Sequence, residues 1–127
     1  MTGNYLSNQK GFSLIELMVV LTVIALLIAI ATPVVGSAIT RAKEAALQEN
    51  LKVMRKALDH YYADKGAFPT ALEILVEEGY IKAIPPDTVN EGKKEWAIVL
   101  DEQENGISQI HSKSEVKGSN DTPYNEW

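Results

Sequence analysis

Residues 10–31 read KGFSLIELMVVLTVIALLIAIA, from Lys10 to Ala31, and the fold turns on why one acid, Glu16, stands at the front of that apolar run. From Leu17 through Thr40, 24 residues carry no charged side chain. About 20 helical residues rising ~1.5 Å each cross a hydrocarbon core of ~30 Å, so the stretch is long enough to span a membrane. Between Leu17 and Ala31 only Thr22 is polar, and apolar side chains point all round the helix. Such a helix needs lipid or an enclosed protein core. A carboxylate within a membrane helix costs roughly 2.5–3.5 kcal/mol on insertion scales and usually has a partner. Near a helix N-terminus at headgroup depth it is instead favoured by the dipole, by ~0.3–1 kcal/mol. The residues alone leave both readings of Glu16 open.

A secretory signal peptide is the plain alternative, with Lys10 as positive flank and Ala29-Ile30-Ala31 as an A-x-A cleavage site. Glu16 is a poor guest in such a core, and the helical pattern continues past the supposed cut. Orientation is not read from loop charge, because Lys10 flanks one side while Arg41 and Lys43 flank the other.

Lys10-Gly11-Phe12-Ser13-Leu14-Ile15-Glu16, followed by an apolar helix containing Pro33, resembles the prepilin signal of type IV pilins and type II secretion pseudopilins. The resemblance implies that a prepilin peptidase cuts after Gly11 and that the new amine, on Phe12, is methylated. A residue without Cβ at the cut lets a protease approach the backbone closely. It also implies that Glu16 of one subunit faces the Phe12 amine of a neighbour, and that Pro33 marks where the helix extends on packing into a filament. Phe12 and Glu16 are four apart, hence on one helix face. The expected organisation is a cleaved leader over 1–11, a transmembrane and filament-core helix over 12–36, and a small soluble pilin-like domain over 37–127.

Beyond the apolar run, Pro33 and Gly36 predict a kink or melted turn over residues 29–36. Ser37 to Lys65 then reads as an amphipathic helix. Leu47, Leu51, Met54, Leu58 and Tyr61 recur at steps of four and three, with Arg41, Lys43, Glu44, Glu49, Lys52, Arg55 and Lys56 assigned to the other faces. Gly66 and Pro69 end it. Thr70 and Glu73 predict a capping box for a short helix ending before Gly79. Glu95–Asp101 and Ile107–His111 read as a hairpin turning through Asn105-Gly106, with Trp96, Ile98 and Leu100 on one face against the long helix. The fold class is α+β: a long N-terminal helix, transmembrane in its first half and amphipathic in its second, packed on a small antiparallel sheet.

A net charge of -5 gives no basic footprint, so nucleic acid is not an expected partner. There is no cysteine, and His60 and His111 belong to no catalytic pattern, so an enzyme is not expected. In the tail, the resemblance to major pseudopilins implies a calcium site with Glu115, Asn120 and Asp121 as ligands, joined by backbone carbonyls near Lys113 and Val116. Calcium takes 6–8 oxygens. Here Lys113 and Lys117 dilute the charge, and Asn120 stands where a second acid is usual. An ordinary hydrogen-bonded tail is the alternative.

The resemblance implies a homopolymer in the bacterial inner membrane, single-pass with its C-terminal domain periplasmic. Its partners would be the prepilin peptidase/methyltransferase, an inner-membrane assembly platform and minor pseudopilins. The expected role is structural, as the major pseudopilin of a type II protein secretion system. A type IV pilin serving adhesion, motility or DNA uptake, and an anchored binding domain that never polymerises, are the alternatives.

Overall fold

The computed structural model describes residue 11 and residues 13–127. Lys10 and Phe12, on which the cleavage and methylation expectations fall, lie outside the described residues. The elements, in chain order, are α1 (Leu14–Lys65), α2 (Leu72–Glu77), β1 (Ala97–Leu100), β2 (Ile107–His111) and a 3₁₀ turn (Tyr124–Glu126). The chain divides into two compact units, Met1–Ala38 and Ile39–Trp127.

In the first unit α1 is helical without interruption, with Pro33 inside it. The melted turn expected at residues 29–36 is absent. Proline's locked φ is itself close to helical, and its ring removes only the one bond that would reach the Ala29 carbonyl. Two threonine hydroxyls of the run bond to their own helix. The Thr22 hydroxyl donates to the Met18 carbonyl and the Thr32 hydroxyl to the Ile28 carbonyl, both at 2.7 Å. A helix in lipid must satisfy its polar groups internally, and these two hydroxyls do so. Its large apolar side chains from Leu14 to Val35 are all exposed.

In the second unit the stripe predicted from spacing is the core. Leu47, Leu51, Met54 and Leu58 are buried with Leu72, Leu75, Ile81, Trp96, Ile107, Ile110 and Tyr124, and Tyr61 packs against them half-buried. The capping box at the start of α2 does not form. Ala71, extended at φ -148, is the N-cap and makes no side-chain bond, so Thr70 lies one residue too early. The end of α2 is well closed. Gly79, at φ 81, lets the Tyr80 amide reach the Leu75 carbonyl at 2.8 Å while its own amide reaches Val76 at 3.2 Å. That double bond pattern needs a left-handed residue, which glycine adopts without steric cost.

The two strands pair antiparallel, but their burial differs from expectation. Trp96 is buried, whereas Ile98 is 50% and Leu100 43% exposed. β2 lies under α1, and β1 is the next strand out, about 4.8 Å farther, beyond the cover of a single helix. Ile107 and Ile110 are three apart, so strict alternation would turn one of them outward. The register passes from Val99↔Gln109 to Leu100↔Ile107, skipping Ser108, and this bulge brings both isoleucines inward.

Candidate functional site

The first site is the start of α1. The Ser13 hydroxyl oxygen accepts the Glu16 amide at 3.3 Å, satisfying one of the four amides that a helix start leaves unpaired. Sequence reasoning missed this cap, although Ser13-x-x-Glu16 is the spacing of a capping box. Glu16 lies in the first turn, where the helix dipole favours an anion. Glu16 shares the exposed surface of the first turns with Ile15, Val19 and Val20. A charge is thereby held at the rim of a surface that is otherwise hydrocarbon. Gly11 is exposed, and Pro33 lies within the helix as described above.

The second site is the C-terminal loop, and its centre is a residue assigned to the wrong face. Glu44 is only 6% exposed. It precedes Leu47 by three and Leu51 by seven, so it continues the buried stripe, and that spacing was the available signal. Its carboxylate accepts three hydrogen bonds: the Ser119 amide at 2.8 Å, the Ser119 hydroxyl at 2.5 Å and the Tyr124 hydroxyl at 2.8 Å. The Ser119 hydroxyl does most to hold the Glu44 carboxyl below its usual value of 4.5; burial pushes the other way, and the Ser119 amide and Tyr124 assist the lowering. Tyr124 responds in the opposite sense, its phenol raised first by burial and then by Glu44. Gly118 fits beneath this cluster, since a Cβ there would meet the Trp127 ring at 2.5 Å.

A pH dependence follows from Glu44. A carboxyl whose folded pKa is depressed adds stability above its unfolded value, and that stability is lost as pH falls from 4.5 through the folded pKa. Thermal melting of the full chain in detergent is expected to lose stability through that window, and Glu44→Gln is expected to flatten the loss.

Arg55, also assigned to an outer face, joins three segments. Its guanidinium donates to the Ile110 carbonyl at 2.9 Å and to the Trp127 main-chain oxygen at 2.6 Å. His111 Nδ1 lies 2.9 Å from the same Trp127 oxygen, a geometry that suits Nδ1 as donor. Burial lowers the Arg55 pKa. The Trp127 indole donates to the Thr122 carbonyl at 3.1 Å and its ring meets Tyr124 edge-on, so the tail is pinned. Asp87 is fully buried and accepts the Ser112 hydroxyl at 2.6 Å, a pair that sequence reasoning also missed.

The residues expected to hold calcium are spread over this loop. Glu115 is exposed. The Asn120 side-chain oxygen accepts the Thr122 amide at 3.1 Å. Asp121 has a side chain 90% exposed, with its nearest cation Lys117 at 3.9 Å. Among the described residues no three of His, Cys, Asp and Glu converge as a metal would need. The folded donor set therefore does not fit a calcium cage, because the loop's polar groups are engaged with one another and with Glu44.

The comparisons with known proteins agree with the N-terminal site. The family described as the prokaryotic N-terminal methylation motif matches residues 6–32. The type II secretion system core protein G of Pseudomonas aeruginosa is 35% identical over 96 residues, covering 63% of this chain and 68% of that protein. The competence protein ComGC of Halalkalibacterium halodurans is 31% identical over 75 residues, covering 59% and 74%. The core protein G of Escherichia coli is 33% identical over 96 residues, covering 63% and 66%. No solved structure matches the chain. A helix with an apolar stretch long enough to cross a bilayer, an acid in its first turn and relatives of this identity and coverage lead to one conclusion: the chain belongs to the type IV pilin and type II secretion pseudopilin family.

Proposed function

We propose that the chain is a structural subunit of a membrane-assembled helical filament, the major pseudopilin of a type II protein secretion system. The observation that carries this reading is the first part of α1, residues 14–35: an exposed apolar surface with one carboxylate, Glu16, at its start. In the membrane that surface faces lipid, and in the filament it trades lipid for neighbouring helices, gaining packing rather than classical hydrophobic energy. Glu16 pairs with the Phe12 amine of the adjacent subunit, which neutralises both charges and sets the register. Pro33 brings no amide to the Ala29 carbonyl, so this turn lacks one ladder bond and is the place where the helix lengthens on packing. The work is mechanical rather than catalytic. The second unit lies on the periplasmic side, and the assembly platform and minor pseudopilins of the inner membrane are its partners.

Processing is the direct test. The native protein is expected to begin at methylated Phe12 and to hold 116 residues, 127 less the 11 of the leader. N-terminal sequencing with intact mass reads both. A start at Thr32 would mean ordinary secretion and would remove the anchor from the filament. A pilin of the competence or fimbrial kind is the second reading, favoured by the likeness to ComGC. Long surface fibres in place of secretion-dependent ones would decide for it.

A further inference from the structure

We infer that the C-terminal loop of this chain is organised by an internal anion, the Glu44 carboxylate, in the position of command that a bound calcium ion would otherwise hold, so that the domain folds and stays closed without metal. A cation orders a loop by gathering oxygens around one positive centre. Here the polarity is reversed, and a buried negative centre gathers donors. Ser119 brings its amide and its hydroxyl, and Tyr124 brings its phenol, to the two oxygens of a single carboxylate. The donors lie 75 and 80 residues from Glu44 in sequence, so the bonds tie the tail to α1 across most of the soluble unit.

The remaining polar groups of the loop close on themselves. The Gly118 amide donates to the Thr122 carbonyl, the Tyr124 amide to Val116 and the Asn125 amide to Ser114, all between 2.9 and 3.0 Å. The Val116 carbonyl, an expected metal ligand, is thus engaged by Tyr124. Asn120 spends its side-chain oxygen on the Thr122 amide. Asp121, left-handed at φ 62, is exposed next to Lys117. A cation drawn to Asp121 would meet the Lys117 ammonium 3.9 Å from that carboxylate, and among the described residues no group of three acidic or imidazole side chains converges there. The inference concerns the soluble unit alone, so it stands or falls independently of filament assembly.

The test uses the full chain in detergent, with melting temperature and the rate of tryptic cleavage after Lys117 as readouts. Adding millimolar calcium, or EDTA, is expected to change neither. Glu44→Gln keeps the shape but loses the charge. It is expected to speed cleavage about tenfold, the factor that one lost charge-assisted bond corresponds to. Tyr124→Phe, which removes one donor and keeps the ring, is expected to do the same more weakly, and it serves should Glu44→Gln fold poorly. The double variant Glu115→Gln, Asp121→Asn is expected to match the wild type. A calcium-dependent rise in melting temperature, or cleavage slowed by calcium, overturns the inference. So does a double carboxylate variant whose loop opens as Glu44→Gln opens it.

Discussion

Glu16→Ala is expected to abolish filament assembly while leaving membrane insertion intact. The two processes weigh the carboxylate with opposite signs. Insertion of a single helix becomes easier by up to roughly 2.5–3.5 kcal/mol when the acid is removed. Assembly loses the counter-ion of the neighbouring amine, and breaking one half of a buried ion pair costs about 3–5 kcal/mol. That is on the order of a hundredfold or more in association for each contact, and every subunit in a filament repeats it. The helix itself survives, because its cap is the Ser13 oxygen accepting a backbone amide, which alanine at position 16 still supplies. Glu16→Gln discriminates further: it keeps size and hydrogen bonding but not charge, and it should fail as alanine does. Carbonate extraction reads insertion, and sheared or cross-linked filaments read assembly. Wild-type filaments from either variant would refute the counter-ion role and favour a domain that is merely anchored.

Arg55→Ala is expected to give the largest loss of stability in the second unit, Ile39–Trp127. The guanidinium donates to main-chain oxygens of Ile110 and Trp127, and both lose a charged donor at once. Hydrogen bonds to charged groups contribute about 1.5–3 kcal/mol each and do not add fully, so a loss of about 3 kcal/mol is expected. For a domain of this size that lowers the melting midpoint by more than about 10 °C. The aliphatic stem of Arg55 is lost as well, which deepens the effect. Arg55→Lys should fall between: a single nitrogen, Nη2, makes both bonds, so an ammonium keeps the charge and enough donors, but the shorter lysine must reach the same point to serve both oxygens. Its buried Nε, which finds no hydrogen-bond partner, shows that even the native residue is held by geometry more than by full satisfaction. A midpoint within a few degrees of wild type for the alanine variant would mean that the tail is held by Trp127 and Tyr124 packing instead.

What was legible in the sequence is what periodicity and local chemistry carry. The apolar run, the 47-51-54-58 stripe, the stop at Gly66, the hairpin and the family resemblance of residues 10–16 all depend on neighbours within a few residues, and each was readable there. The buried polar groups were not. Glu44 and Asp87, buried, and Arg55, half-buried, look like surface residues because their burial is made tolerable by Ser119, Tyr124, Ile110, Trp127 and Ser112, which lie 25 to 80 residues away. A charged residue is costly to bury unless it is paired, and the pairing is a property of the tertiary fold. Glu44 still left a trace in its spacing from Leu47, which composition overrode. The inward face of β1 failed for a different reason. Alternation identifies two faces of a strand, but the width of the element covering them comes from the packing, and one helix is too narrow to cover both strands.

That uncovered β1 has an implication for how the chain avoids sticking to itself in the wrong way. Ile98, Val99 and Leu100 present an oily outer ribbon with an unpaired backbone edge, the template on which amyloid-like stacks grow. The ribbon is four residues long, paired to a bulged partner strand and followed at once by Asp101 and Glu102, so each added copy would bring repelling carboxylates into line. A molecule meant to pile up through its helices has thereby been denied a second way of piling up through its sheet.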